Sequence, residues 1–522
     1  MERGRNMKLS ILSFLKRNHL LLNVIGVYLL ASIIIFSLFR YVFSPDGISY
    51  INVAKKYLSG NFQIAINGYW SPLFSWVIVP FLALKIDAIL ATKILSIITG
   101  IFLLVGVNRL LVNQKIQDIW RTWALFTTIP LLLMFTFTVV TPDLLLCVML
   151  INYLNSLLDK DFVKYRDQAI TVGWYGAMAY LTKNYALIFF LVHFSISALL
   201  FYRRYKLKTK RRFMFFQWVS GILVFFIIAG SWSIIISKKY HRLTFSTAGE
   251  FNRQLSAQGV NIYPKNIVGL IEPLDRLSTS YWDDPSNIQL VKPTKHISIS
   301  DVAYRLKLSY HNFLKTLGFI NSLSIFALTI IIFSIFLYLK RIYLRKHIIL
   351  LMVLIYPIFY LPIITEERHL WSVFILVIVL AAGLLNYWQH HNKHTKLLVF
   401  LTGFIVLISF QYLPWMVRHM KKQGNELVIL SQQLNKLEIN NKRIASIGNN
   451  PESLYLAYYS NNIYLGELGE NITKKEIYNK MKDFKINYLW IWEDAINTFN
   501  FIDNYPIVYS NQNLRLRIYK IQ

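Results

Sequence analysis

The sequence predicts a polytopic α-helical membrane protein with a small α/β domain at its C-terminal end. Three observations carry that expectation. Hydrophobic residues fill 55% of the 522 positions and charged residues only 16%, against about a quarter in water-soluble domains. The charge is lopsided, 56 Lys and Arg against 26 Asp and Glu, for a net +30. The basic residues lie between long apolar runs, which is the pattern of membrane sidedness. A nucleic-acid binder would gather them on a polar domain, so no nucleic-acid partner is expected. The single cysteine, Cys147, rules out an internal disulfide framework and a multi-cysteine zinc site.

A helix that crosses a bilayer needs about 20 mostly apolar residues. The first such run, Leu20–Arg40, follows a basic leader of Arg3, Arg5, Lys8, Lys16 and Arg17. It is longer than a signal-peptide core and no small-x-small cleavage site follows, so it reads as an uncleaved span with its N-terminus inside. Further runs are Ala88–Val107, Trp120–Val140, Leu144–Leu158, Gln168–Leu181, Tyr185–Tyr202, Phe213–Ser237, Leu317–Leu339, His347–Ile364, Leu370–Tyr387 and Leu397–Trp415, about 11 spans in all. Pro72–Leu84 is apolar but short and contains Pro80; it reads as a helix in the outer interface.

The positive-inside rule checks this count. The pieces assigned to the cytoplasm hold 24 Lys and Arg in 67 residues, and the short outer pieces hold 4 in 42. Counting Pro72–Leu84 as a span would put RRYKLKTKRR (203–212) outside. The expected protein is therefore multi-pass in the plasma (inner) membrane, with a cytoplasmic N-terminus. Residues 1–415 form the transmembrane module, with a first outer loop at 41–85 and a long outer loop at 238–312. Residues 416–522 form the extracytoplasmic α/β domain. Its candidate strands are Arg443–Gly448, Asn462–Leu465, Asn487–Trp492 and Arg515–Ile521; its candidate helices are Pro451–Ser460 and Lys474–Lys482, the latter capped by Thr473. No fixed-period repeat and no half-to-half duplication is present.

On this topology the outward acids stand out: Asp46 in SPDGISY, Asp143 in VVTPDLLL, and Glu366 and Glu367 beside Arg368 and His369 in TEERHLW. Ionisable groups at a membrane face are costly unless hydrated, paired or functional. Each also has a structural reading. Ser44 or Asp46 can cap the helix that follows, Asp143 can complement a helix dipole, and Glu366–Arg368 can be an interface ion pair. After Asp46, Ile48, Ile51, Ala54 and Leu58 recur at helical spacing with Lys55, Lys56 and Ser59 between them, which reads as a surface-lying helix. Trp282-Asp283-Asp284-Pro285 in the long outer loop offers paired carboxylates to a cation, or a polar turn. The tract Gln389–His394 reads as a solvated basic loop, His193 as hydrogen-bonded inside the bundle, and Asn471-Ile472-Thr473 matches a glycosylation sequon. No Walker loop and no GxGxxG is present, which leaves nucleotide binding without support.

The order of a span, S-P-D-G-x-x-Y-x-x-x-A, G-N-F and Y-W-S-P-L-F-S-W resembles the first outer loop of the GT-C glycosyltransferases. The nearest branch is family 39, which includes protein O-mannosyltransferases and lipid A aminoarabinose transferases. T-P-D at 141–143, A-Y-L-T-K at 179–183 and E-R-H-L at 367–370 extend the resemblance over residues 20–375. It implies a sugar donor on a polyprenyl-phosphate carrier, an extracytoplasmic acceptor (lipid, glycan or protein) and a site on the outer face of the bilayer. Asp46 takes the role of first-loop acid, receiving or orienting the proton of the acceptor hydroxyl. Asp143 would be the second outer-loop acid, positioning the acceptor or a divalent cation, which stays open as a cofactor. Lys183 and Arg368, with His369 behind them, would bind the donor phosphate; Lys183 can equally snorkel to the interface. Tyr50, Tyr69, Trp70 and Glu367 would contact substrate, although aromatic belts also account for the rings. Many members carry Asp-Glu where this chain has Asp46-Gly47, which bears on the acceptor class. The expected activity is inverting glycosyl transfer. A transporter or lipid-linked glycan flippase, and an envelope polysaccharide polymerase or ligase, are the alternatives, along with a plain membrane anchor for the tail.

Overall fold

The fold is described from a computed structural model covering residues 2–160, 162, 164–165, 167–204, 207–257, 269–290, 298–340, 347–391, 401, 403–405, 424–469, 473–492 and 505–522. It opens with α1 (Glu2–Phe39), α2 (Pro45–Leu58), the single turn α3 (Phe62–Ala65) and α4 (Pro72–Ala83). The bundle continues through α5 (Ala88–Asn113), α6 (Asp118–Phe137), α7 (Asp143–Leu157), α8 (Asp167–Thr182), α9 (Ala186–Arg204) and α10 (Lys208–Lys239). Beyond it come α11 (Ala248–Leu255), α12 (Ile299–Leu323), α13 (Ala327–Leu339), α14 (His347–Ile355) and α15 (Trp371–His391).

Among the described residues, six helices are long and apolar enough to cross a membrane: Asn18–Phe39 of α1, then α5, α6, α9, α10 and Glu367–His391, which takes in α15. The chain is an integral membrane protein. Helices α7 and α8 sit where the fourth and fifth runs were expected, and they pack on each other and on α5 and α10. Inside the bundle His193 meets the Tyr153 hydroxyl at 2.7 Å and the Ile348 carbonyl at 3.2 Å, as its apolar surroundings require.

Three expectations about the helices change. The run Leu317–Leu339 is no single straight helix: α12 and α13 meet at 103°. Ser324 is extended there, and its hydroxyl accepts the Phe326 N–H. The run His347–Ile364 stays α-helical only to Ile355 and tightens into a 3-10 turn over Tyr356–Tyr360, with Pro357 in its first turn. Helix α2 does not lie bare on a surface, because α4 and the long outer loop cover it and Lys56 is buried against Asp275 at 2.8 Å. The run Leu397–Trp415 falls outside the described residues except at 401 and 403–405, and so do 392–394 of the basic tract and Asn471-Ile472 of the sequon.

The tail folds as helices on a six-stranded sheet of order β1-β3-β2-β4-β6-β5. Its strands are β1 (Gly269–Leu270), β2 (Arg443–Ile447), β3 (Ile463–Glu467), β4 (Tyr488–Trp492), β5 (Ile507–Asn511) and β6 (Leu516–Lys520). Its helices are α16 (Asn425–Lys436), α17 (Asn450–Tyr459) and α18 (Lys474–Asp483). Strands β2, β3 and β4 run parallel; the other pairings are antiparallel. Thr473 caps α18 in a reciprocal box with Glu476. The sequence reading lacked α16, β5 and β1. Strand β1 belongs to the long outer loop, so the loop and the tail share one sheet. The tail also grips the first outer loop: Phe43 sits among the rings of Tyr455, Tyr458 and Tyr459.

Candidate active site

The site is built around the start of α2. Ser44 caps the helix, accepting the Gly47 N–H at 3.2 Å and donating to the Val140 carbonyl at 3.0 Å. The cap is therefore Ser44, and the Asp46 carboxylate is released for other partners. Arg368 donates to Asp46 Oδ2 at 2.6 Å, and the Trp282 indole N–H donates to Oδ1 at 3.1 Å. Arg368 also donates through Nε to Glu366 at 2.7 Å, so one guanidinium bridges two carboxylates. Glu366, not Glu367, forms this pair.

The second centre lies across the cavity. Asp143 opens α7, nearly fully buried, and its Oδ1 accepts from Lys183 Nζ at 2.5 Å. Lys183 is thus an ion-pair partner and not a free snorkelling cation. Among the described residues, Asp143 Oδ2 and the Tyr360 hydroxyl are buried without a hydrogen-bond partner, and both residues line the cavity. Tyr360 stacks between Tyr185, at 3.7 Å, and His369, at 4.3 Å. His369 accepts the Glu366 N–H on Nδ1 at 3.2 Å, which fixes the bend carrying Arg368.

Two cavities meet at Asp46. The larger, about 500 Å³, brings Asp46, Tyr50, Tyr69, Trp70, Asp143, Lys183, Arg368 and His369 together. The smaller, about 410 Å³, runs between the ends of α6 and α15 and the tail helix α17, and it holds Glu366 and Glu367. Asp46, Trp282 and Arg368 line both, so they form the common wall. Of the acids singled out from sequence, Asp46 and Asp143 line the larger cavity, whereas Glu366 and Glu367 line the smaller one.

The aromatic residues are built in rather than loosely displayed. Tyr50 meets Trp70 and Phe74 edge-on, and Trp70 Nε1 donates to the Trp282 carbonyl at 2.9 Å. The Tyr69 hydroxyl donates to Asn252 at 3.0 Å. Burial holds the Tyr50 and Tyr69 phenols well above their ordinary value, with the Asp46 charge adding to it. At neutral pH they are donors and not bases.

Tyr360 carried no local signal in the sequence, and Trp282 stood in a motif noted only for the carboxylates beside it. Trp282 reaches Asp46 because the long outer loop docks on the polar side of α2. Ser49 donates to the Trp282 carbonyl, Asn52 to Asp283 Oδ2 at 2.8 Å, and Lys56 to Asp275. The paired carboxylates Asp283 and Asp284 do not face one ligand. Asp283 turns to Asn52 and the Thr279 N–H, whereas Asp284 turns to Lys239 and Tyr240. Among the described residues no group of three or more His, Cys, Asp or Glu side chains is placed to hold a metal. Beside Asp46 the Arg368 guanidinium lies between the Asp46 and Glu366 carboxylates.

No protein-family model and no curated protein matches the chain. Solved structures do, and together they define a class: the chain has the fold of the GT-C membrane glycosyltransferases. ArnT from Cupriavidus metallidurans in the apo state matches with a TM-score of 0.57 at 11% identity, over 95% of this chain and 97% of that one. The same protein bound to undecaprenyl phosphate gives 0.55 over the same shares. The Archaeoglobus fulgidus oligosaccharyltransferase, in complex with Zn and sulfate, gives 0.51 at 10% identity, over 90% of this chain and 68% of that one. The mycobacterial arabinofuranosyltransferase AftD gives 0.51 at 10% identity, over 97% of this chain but only 40% of its own.

Proposed function

We propose that this chain is an integral-membrane glycosyltransferase of the family 39 kind. It moves a sugar from a polyprenyl-phosphate carrier to a hydroxyl acceptor (lipid, glycan or protein) on the extracytoplasmic side. The observation that supports this most directly is the Asp46 carboxylate on the wall shared by two cavities. Two substrates that react with each other need two pockets and one meeting point. Undecaprenyl phosphate in ArnT and dolichol-phosphate in the A. fulgidus enzyme AglB support a lipid-phosphate donor here. The larger cavity suits that donor, and the smaller one suits the acceptor.

In this reading the acceptor oxygen attacks the anomeric carbon and passes its proton to Asp46. The bond from that carbon to the phosphate oxygen breaks, and its electron pair leaves with the lipid phosphate. A single displacement inverts the anomeric centre. Lys183, the Tyr360 hydroxyl and the remaining N–H groups of Arg368 face the charge that grows on the leaving phosphate. Asp143 Oδ2 accepts from a substrate hydroxyl, which satisfies its buried lone pairs.

The test is Asp46→Asn in the full chain, reconstituted with polyprenyl-phosphate sugars. Loss of general-base help predicts a fall of about 10²–10⁴-fold in turnover. Full activity in a folded Asp46→Asn protein would overturn the role. Movement of intact lipid-linked sugar across vesicles, with no glycosidic bond made, would transfer the reading to a flippase.

A further inference from the structure

Helix α12 has three distinct faces. Asn312, Thr316, Ile320 and Leu323 are buried against the rest of the protein. One step around the helix, Ile299, Val302, Leu306, Tyr310 and Phe313 recur at intervals of three and four, so they form one stripe. That stripe is bare: Ile299 is 91% exposed, Leu306 67% and Tyr310 64%. One further step around lie Lys307, His311 and Lys315, of which Lys307 and His311 are exposed. A helix with a packed side, an apolar side and a basic side in that order has one resting place beside a membrane-spanning bundle. Its packed side meets the bundle, its apolar side points down, and its basic side lies at headgroup level facing away.

The backbone direction agrees. Helix α13 packs on α14 and α15, and α12 leaves it at 103°, so a span-like α13 turns α12 into the membrane plane. Exposed apolar residues recur beyond the corner, at Ile325 in the bend and at Ile332 and Phe336 of α13. The packed side also reaches the site. Asn312 donates to the Leu361 carbonyl at 2.8 Å, and Arg305 donates to the Pro362 carbonyl at 3.2 Å and to Ser256 at 2.8 Å. Ser256 and the neighbouring Ile363 and Ile364 line the larger cavity.

We infer that α12 is a lipid-surface helix. Its stripe is sunk in the leaflet on the side of the site, and Lys307, His311 and Lys315 bind the phosphate headgroups of anionic lipids. The occupant is the bilayer itself, chosen by the exposed apolar residues that recur on the neighbouring span-like α13 and by the charge beside the stripe. The inference stands independently of the transferase reading, because neither stripe nor flank lines a cavity.

The experiment uses the full chain, whose one native cysteine, Cys147, is buried. Leu306→Cys and His311→Cys are each labelled with an environment-sensitive fluorophore and reconstituted in vesicles of neutral or phosphatidylglycerol-containing composition. The label at 306 is quenched by brominated acyl chains and shielded from aqueous iodide; the label at 311 is the reverse. Lys307→Gln, and separately Lys315→Gln, lowers phosphatidylglycerol retained on the purified protein about five-fold per charge. Iodide quenching at 306 in vesicles overturns the proposal. So does cross-linking of two Leu306→Cys chains through this face, which assigns it to a second copy. Unchanged phosphatidylglycerol retention in both lysine variants overturns the headgroup assignment.

Discussion

Asp143 and Lys183 make the tightest of the three ion pairs described at the site, and the two partners differ in burial. The Asp143 side chain is 3% exposed and that of Lys183 21%. Removing the lysine strands a carboxylate that is out of water, whereas removing the carboxylate leaves an ammonium that still touches solvent. Lys183→Ala is therefore expected to cost about 3–5 kcal/mol of stability, and the double variant with Asp143→Ala less than Lys183→Ala alone. Unfolding in detergent measured over the four-member cycle checks this. Equal losses in both single variants would contradict the assignment. The pair at Asp46 has a different character, since Arg368 is shared with Glu366 and keeps further N–H groups for an incoming phosphate. This scale was the most legible in the sequence. Asp46, Asp143, Arg368 and His369 stood out from sidedness, because charge in an apolar chain is rare enough to be placed by topology, and Lys183 joined them through the family resemblance. Trp282 stayed hidden, as 236 positions separate it from Asp46 and no local pattern spans that gap.

Helix α2 owes its position to a close approach. A Cβ on Gly47 would lie 2.8 Å from the Val140 Cβ, so this position needs hydrogen. Gly47→Ala is expected to push α2 away from the 138–142 segment and to cost about 1–3 kcal/mol through overpacking. Turnover should fall with it, because Asp46 moves relative to Arg368. Val140→Ala in the same chain should restore most of both. No rescue would show that Gly47 acts through backbone freedom instead. Other elements show why pattern reading stops where it does. Hydropathy runs unbroken from Leu317 to Leu339, since a window average registers composition and not direction; the corner at Ser324 is invisible to it. Strand β1 has only two residues and β5 is an exposed edge, so neither builds a periodic signal. Helix α16 had one, with Leu427, Leu430 and Leu434 at helical spacing, and its soluble-type pattern sat next to a run expected to span the membrane.

At the scale of the whole molecule, the loop that seats Trp282 against Asp46 is tied to a sheet it shares with the tail. Gly466 in β3 has φ +123°, and a Cβ there would lie 2.5 Å from the Gly269 carbonyl in β1. Gly466→Ala is expected to unpair the two strands at a local cost of about 1–3 kcal/mol. The outer loop then loses one of its anchors, exposed Arg276 is cut faster by trypsin, and transfer slows although no site residue has changed. Unaltered cutting and turnover would mean that the α2 contacts alone hold the loop.

The shared sheet also imposes an order on how the protein is made. Asp46, Asp143, Lys183 and Arg368 all leave the ribosome before the first residue of β3. The outer loop that seats Trp282 against Asp46 gains its strand partner only when the chain has reached Glu467. Until then Asp46, Asp143, Lys183 and Arg368 are all present, but the loop that carries Trp282 lacks its β3 partner. The nascent protein thus carries its own delay, since the pairing of β1 with β3 waits until the tail has followed the bundle into being.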